Sequence, residues 1–243
     1  MIEQLNEKLL LLTTKYGVEP GRIAAEAGVP FVVSASGEKT VLLPHRVERR
    51  FIELKNIVNN GTLEGVSTLR FARMSAGESL KFGLEREIDL AVWLAGAQVR
   101  TAFATADSGI RTVNALFRLF SGVSVCIECS NLLPAGRPVM DRHEIIASRG
   151  VASDRVVDTQ VPQSSIYLIA DGAAAEYTDV DSELFGLSEY EVTVVRAAFA
   201  VLGSPALSGE WNRAAARAGR IATACLDTVN TRTVAEFEEE VIK

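Results

Sequence analysis

Hydrophobic positions along the first 45 residues come in unbroken runs rather than in alternation. Leu9-Leu-Leu-Leu-Thr-Thr, Pro30-Phe-Val-Val and Thr40-Val-Leu-Leu-Pro are each apolar throughout, the pattern of strands covered on both faces. Between the first two, Glu19-Pro-Gly-Arg-Ile-Ala-Ala-Glu-Ala carries Pro at an early helical position and ends at Gly28, which predicts a short helix. Strand, helix and strand with tight joints form the βαβ unit of a parallel sheet.

Beyond residue 46 the period changes. Val47, Phe51, Leu54, Ile57 and Val58 recur at helical spacing up to Asn59-Asn60-Gly61, so Val47–Asn59 is predicted helical. Val66–Arg73 alternates as a half-exposed strand, and Glu85–Leu94 reads as a helix ended by Gly96. Strands are expected at Val99–Ala106, Thr112–Phe120, Val123–Ser130 and Glu144–Ser148, with Ser121-Gly122 as a hairpin turn. Successive strands on short turns require an antiparallel or mixed sheet. Two terminal helices follow, one capped by Ser188 and one over Trp211–Val229. The pattern alone therefore supports a short α/β segment followed by a larger α+β segment.

Composition narrows the function classes. Hydrophobic residues make up 48% and charged residues 23% of the 243, ordinary proportions for a globular enzyme or binding protein. The net charge is −6 and the basic residues are scattered apart from Arg46, Arg49 and Arg50, so no phosphate-backbone footprint is present and nucleic acid is not an expected partner. The run Leu9–Leu12 is too short for a membrane span or a signal core, and the expected location is cytoplasmic. Cys126 and Cys129 form a C-x-x-C, but within a predicted strand their side chains face opposite sides, which favours packing over redox or metal chemistry. No H-E-x-x-H, Cys/His cluster or EF-hand loop occurs, so no metal is expected. Ser164-Ser165 and Thr13-Thr14 have no adjacent base, and no catalytic nucleophile is identified.

Several strings, taken in order, resemble one family. Arg49-Arg-Phe-Ile-Glu-Leu-Lys-Asn-Ile-Val-Asn-Asn-Gly-Thr-Leu-Glu-Gly-Val is similar to the join between the two domains of the Gfo/Idh/MocA oxidoreductases. Glu87-Ile-Asp-Leu-Ala-Val-Trp-Leu-Ala-Gly resembles their I-D-L-x-x-x-L-x-G helix, Phe120-Ser-Gly-Val-Ser-Val-Cys-Ile-Glu-Cys-Ser their F-x-N-G-x-x-x-x-I-E-x-S strand, and His143-Glu-Ile-Ile-Ala-Ser-Arg-Gly the strand that follows. The resemblance runs from about Leu9 to Val234. It implies the fold class α/β plus α+β, a remnant of a Rossmann-type parallel sheet joined to a large open mixed β-sheet with helices on one face: a truncated Rossmann-like segment over residues 1–48 and a C-terminal substrate and oligomerisation domain over 49–243, with the terminal helices included.

What the resemblance implies about chemistry is mixed. Such enzymes bind NAD(P) on a strand, a G-x-G-x-x-G turn at a helix N-terminus and a later acidic residue; this chain contains none of these, and no cofactor-binding residue is assigned. Family members also carry an E-K-P segment, matched in part by Glu38-Lys39-Thr40, and a D-x-G-x-H segment before the I-D-L helix. Counted back from Asp89, those last positions hold Phe82, Leu84 and Arg86. A guanidinium does not shed its proton near neutral pH, so Arg86 cannot replace the histidine as acid and base.

The ligand-binding candidates are Lys39, to orient a polar or anionic ligand from its turn; His45, at the end of a predicted parallel strand where α/β sheets place ligands; and Arg86 with Glu87 and Asp89, as a carboxylate clamp or an ion pair. For His143 the expectation is a structural hydrogen bond, since no partner carboxylate can be placed from sequence. Two functions follow. The first is a degenerate, non-dehydrogenase subunit that binds a small polar ligand or acts as an accessory, without cofactor in the isolated chain. The second is an enzyme: either an NAD(P)-dependent oxidoreductase acting on a sugar-like or other hydroxyl compound, its nucleotide half supplied by a partner or by further chain, or a site running cofactor-free chemistry on a related ligand. The expected partners are a second copy, through an apolar face of the C-terminal sheet, or a complete paralogue. No membrane association is expected.

Overall fold

A computed structural model describes residues 2–154, 165–170, 173–178 and 186–240, with backbone alone over 165–178. In chain order the elements are α1 (Ile2–Tyr16), β1 (Gly21–Glu26), β2 (Val29–Ser34), β3 (Lys39–Val41), a 3-10 turn (Pro44–Arg46), α2 (Arg49–Asn59), β4 (Val66–Met74) and α3 (Leu80–Ala95). Then come β5 (Val99–Ala106), β6 (Thr112–Leu119), β7 (Ser124–Ser130), β8 (Met140–Ala147), β9 (Gly150–Ser153), β10 (Ser165–Ala170) and β11 (Ala173–Thr178). The last are α4 (Glu189–Gly203), α5 (Ala206–Thr231) and β12 (Ala235–Glu236). They form a three-stranded sheet and a nine-stranded mixed sheet with packed helices, the two-part architecture the sequence leads one to expect.

The chain divides into two compact units, Met1–Phe51 with Asp179–Arg217, and Ile52–Thr178 with Ala218–Lys243. The expected division fell between residues 48 and 49; here the first boundary lies between Phe51 and Ile52, and α4 and the first turns of α5 group with the N-terminal segment. The reason is packing, since α4 lies against α1, β1 and β2 and supplies Val192, Val195, Ala198 and Val201 to a core that also holds Leu5, Leu9, Ile23 and Val32.

Inside the first unit the order of elements corrects the expectation. The run at Leu9 is the middle of α1, and the segment from Glu19 is β1, so helix and strand are exchanged. Strands β1, β2 and β3 pair antiparallel, Gly21 with Ser34 and Val33 with Lys39, so no parallel strand-helix-strand unit is formed by the described residues. Four consecutive leucines carry no period. Only the buried set Leu5, Leu9 and Thr13, at i, i+4 and i+8, marks the helix. Gly28 is a turn residue: Ala27 and Gly28 have φ of 49° and 83°, the two positive angles of a type I′ hairpin. Gly21 has its own reason, since a Cβ there would lie 2.7 Å from Leu202 Cδ2 and 2.9 Å from the Val33 carbonyl oxygen.

The second unit follows the sequence closely. Its sheet order is β11-β10-β9-β8-β4-β7-β6-β5-β12, antiparallel throughout except for the parallel pair β4–β7. Along β6, Val113, Ala115, Phe117 and Leu119 are buried while Asn114, Leu116 and Arg118 are exposed, the alternation of a sheet covered on one face. Helix α3 covers β4, β6 and β7; it starts at Leu80, a turn earlier than expected, because Leu80, Leu84 and Ile88 continue one buried stripe. On the opposite face Leu116 is 56% exposed, with half-buried Phe103 and Cys126 as its cross-strand partners; Asn114 and Arg118 flank it along β6, and Arg70 reaches Glu144 at 3.6 Å. Among the described residues no helix is long and apolar enough to cross a membrane.

Two asparagines close the edges of the small sheet. Asn6 of α1 accepts from Ile23 N at 2.7 Å and donates to Ile23 O at 3.0 Å. Asn212 of α5 accepts from Val41 N at 2.9 Å and donates to Lys39 O at 3.1 Å. Each carboxamide presents one donor and one acceptor, as a neighbouring strand would. Removing either leaves strand groups short of partners, so Asn6→Ala and Asn212→Ala are each expected to cost about 1–3 kcal/mol, measurable by urea unfolding followed through Trp211, which is 3% exposed in this unit.

Candidate functional site

The densest polar cluster lies within the second unit, beneath α3. His143 projects from β8 into the buried face, as its offset of two from Ile145 dictates. Its Nδ1 lies 2.5 Å from Asp154 Oδ2, its Nε2 lies 2.9 Å from Glu87 Oε2, and its backbone N–H donates to Asp154 Oδ1 at 2.6 Å. Asp154 immediately follows β9, and its own N–H donates to the His143 carbonyl at 3.1 Å. Phe71 of β4 packs edge-on to the imidazole at 4.9 Å between centroids. His143 and Glu87 are wholly inaccessible.

Two guanidinium groups complete the cluster. Arg86 bonds the other oxygen of Glu87 and lies 3.6 Å from Asp141. Arg73, near the end of β4, donates Nε at 2.9 Å and NH2 at 3.0 Å to the two oxygens of Glu78, and its NH1 lies 3.6 Å from Asp141. Arg73, Arg86 and an imidazolium thus face Glu78, Glu87, Asp141 and Asp154. Burial opposes charge on His143, but Asp154 and Glu87 outweigh it and hold its pKa up at about 9. Burial likewise opposes charge on Glu87, and Arg86, His143 and Arg73 outweigh it and hold the carboxyl down at about 2. Burial works against charge on Arg73 as well; Glu78, Glu87 and Asp141 prevail and raise its pKa. Both ring nitrogens therefore donate, one to each carboxylate.

This geometry limits the chemistry. A histidine between two carboxylates has the parts of a catalytic triad without its nucleophile. Cys129, on β7, is buried, and burial together with the negative charge of Glu87 pushes its thiol pKa up, away from the reactive thiolate. Cys126 is half-buried on the opposite side of the strand. Asp141, His143 and Asp154 offer ligand atoms within 4.8 Å of one another, the composition of a metal set. As placed, however, both ring nitrogens of His143 face carboxylates, and Arg73 and Arg86 each lie 3.6 Å from Asp141.

The remaining candidates are distributed as follows. Arg86 and Glu87 meet in the cluster, and Asp89 is buried one turn along α3. Lys39 belongs to the first unit, 2.5 Å from Glu26 and 3.9 Å from the centroid of Phe31. His45, in the 3-10 turn of that unit, is 3% exposed, and its neighbour Arg46 reaches Glu210 at 2.8 Å. Thr13 donates its hydroxyl to Leu10 O within α1; Ser164 and the side chain of Ser165 lie outside the described residues. Sequence reasoning missed Arg73, Glu78, Asp141 and Asp154. A usable signal was the pair Asp141 and His143, two apart on a strand and so on one face.

The cluster makes stability depend on pH at both ends. His143 has a folded pKa of about 9 against an ordinary 6.5, so its contribution is complete below about 6.5 and is lost as pH rises through 9. Glu87, held at about 2 against 4.5, contributes fully above about 4.5 and loses its contribution as pH falls toward 2. His143→Gln, which strands two buried carboxylates, is expected to cost about 3–5 kcal/mol at neutral pH and to flatten the alkaline fall in stability. Urea unfolding across pH, with the wild type alongside, checks both.

No family model and no curated protein matches the chain. Solved structures do. An oxidoreductase domain protein from Kribbella flavida is 12% identical at a TM-score of 0.64, covering 81% of this chain and 65% of its own. A levoglucosan dehydrogenase in complex with NADH and levoglucosan is 12% identical at 0.62, covering 80% and 64%. An oxidoreductase from Agrobacterium radiobacter in complex with NAD+, L-tartaric acid and magnesium is 11% identical at 0.62, covering 80% and 62%. The chain spans about 60–65% of the length of such structures. Over about four fifths of its length, then, this chain has the fold of the Gfo/Idh/MocA-type oxidoreductases.

Proposed function

We propose that this chain is a ligand-binding or accessory relative of those oxidoreductases that performs no hydride transfer of its own. The observation that carries this reading is the state of its histidines. The chain has two, His45 at 3% exposure and His143 at none, and His143 is held as an imidazolium between two carboxylates. A group that exchanges a substrate proton must reach the substrate and titrate near the working pH. Arg86, at the position the family resemblance gives to the catalytic histidine, is a guanidinium engaged by Glu87 and Asp141. On this reading the ligand is a small polar molecule, with half-exposed Lys39, beside Glu26, as a candidate cation for it. A complete paralogue, or a second copy set against the open sheet face around Leu116, is the partner.

A second reading is favoured by the NADH and NAD+ complexes among the similar structures: an NAD(P)-dependent oxidoreductase of a sugar-like or other hydroxyl compound, whose nucleotide site is completed by a partner or by further chain. Titration of the purified chain with NADH and NADPH, read by energy transfer from Trp93 and Trp211, separates the two. The first reading expects no saturable binding up to millimolar cofactor, together with a raised melting temperature in levoglucosan or L-tartrate. Saturable micromolar binding of either nucleotide overturns it in favour of the second.

A further inference from the structure

Helix α1 turns an unusual face to solvent. Its inward stripe is Leu5, Leu9 and Thr13, yet Leu10 and Leu11 are each 58% exposed and Tyr16 is 60% exposed. At 100° per residue Leu11 lies almost opposite Leu9, on an outward stripe with Glu7 and Lys15, both exposed, at i−4 and i+4. Alongside this stripe, within the same unit, is a largely apolar cavity of about 220 Å³ lined by Leu12, Leu187, Val192, Val195 and Phe199, with Lys8 and Arg196 at its rim. An exposed apolar knob thus stands beside an apolar hole.

We infer that this face is a two-fold interface in which a second copy of the chain packs antiparallel on α1, centred on Leu11. Three features support a second copy rather than an unlike protein. A two-fold interface must be self-complementary, and a surface carrying both knob and hole meets that requirement, the two Leu11 side chains meeting at the axis with a cavity to either side. The polar residues obey the same symmetry: about an axis through Leu11, Glu7 of one copy meets Lys15 of the second copy, and the reverse. The volume, finally, suits one or two aliphatic side chains rather than a long peptide. One helix pair buries less than about 1,200 Å² in total, the range of transient complexes, so the dimer is a micromolar one. The interface is distinct from the open sheet face of the second unit and does not rest on the function proposed above.

The test is sedimentation velocity of the full chain over micromolar concentrations, with thermal melts to verify folding of each variant. The inference expects reversible dimers, a loss of affinity of about tenfold or more in Leu11→Glu, a loss in Glu7→Lys, and recovery in Glu7→Lys combined with Lys15→Glu. Leu11→Cys, in a Cys126→Ser background oxidised with diamide, should form a disulfide-linked dimer, since the two Leu11 positions flank the axis. A monomer at every concentration overturns the inference. So does association unchanged by Leu11→Glu, association abolished by Leu116→Glu on the sheet alone, or absence of the Leu11→Cys cross-link.

Discussion

An imidazolium with no access to water, held between Glu87 and Asp154, fixes the arrangement of the larger unit. Bringing a charge into a protein interior costs several kcal/mol unless its partners are placed well enough to offset it, and here the partners come from separate elements: Glu87 from α3, His143 from β8, Asp154 from the residue after β9. None of them is adjacent in sequence to the others, so the cluster is satisfied only when helix and sheet are already in register. Arg73 from β4 and Arg86 from α3 extend the same condition to Glu78 and Asp141. Among the described residues, no buried side-chain nitrogen or oxygen lacks a hydrogen-bond partner. A network of this kind tolerates no partial version, because each missing member leaves a buried charge behind.

That condition bears on function. At the position that the resemblance gives to an acid–base histidine, this chain has Arg86, paired with Glu87 and Asp141. Arg86 cannot turn toward a ligand without releasing Glu87 and Asp141, and Glu87 cannot take up a proton readily while its pKa is held at about 2. Active sites are usually built from groups poised to change protonation state; this cluster is built from groups prevented from doing so. A shared fold does not by itself fix the chemistry, since a fold supplies a scaffold and the residues placed on it decide the reaction.

Legibility in the sequence followed the length and period of each segment. From β4 to β7 the strands alternate over seven to nine residues and the turns carry their glycines, so boundaries read from sequence fall within a residue or two of those observed. The first unit was misread because its signals are short. Leu9–Leu12 lacks a period, Pro20 suggested a helix start where β1 begins, and the positive φ at Ala27 belongs to a residue type that gives no hint of it. The charge cluster was half legible: the residues of α3 stood out as charges within an apolar helix, but the approach of Asp154 to His143 is a product of the β8–β9 pairing, Glu144 with Ser153. No local pattern encodes a contact that only register creates.

The leucines that obscured α1 also bear on how the chain meets others. Open strand edges are the usual route by which sheets recruit another chain, and here three are already engaged. Asn6 and Asn212 occupy the outer groups of β1 and β3. In the larger unit, β12 pairs with β5, and Gln98 exchanges two hydrogen bonds with the backbone of Glu240 at 2.7 and 3.0 Å. Once backbone groups are satisfied from within, association through these edges would break bonds before making any. Side-chain faces remain, and there the cost of exposure is hydrophobic, about 25 cal/mol for each Å² of apolar surface left in water. Leu10 and Leu11 carry that cost on a helix whose inner face already meets every need of its own core. Exposed apolar side chains on α1, in a unit whose outer strands already bond Asn6 and Asn212, favour association helix to helix over association strand to strand.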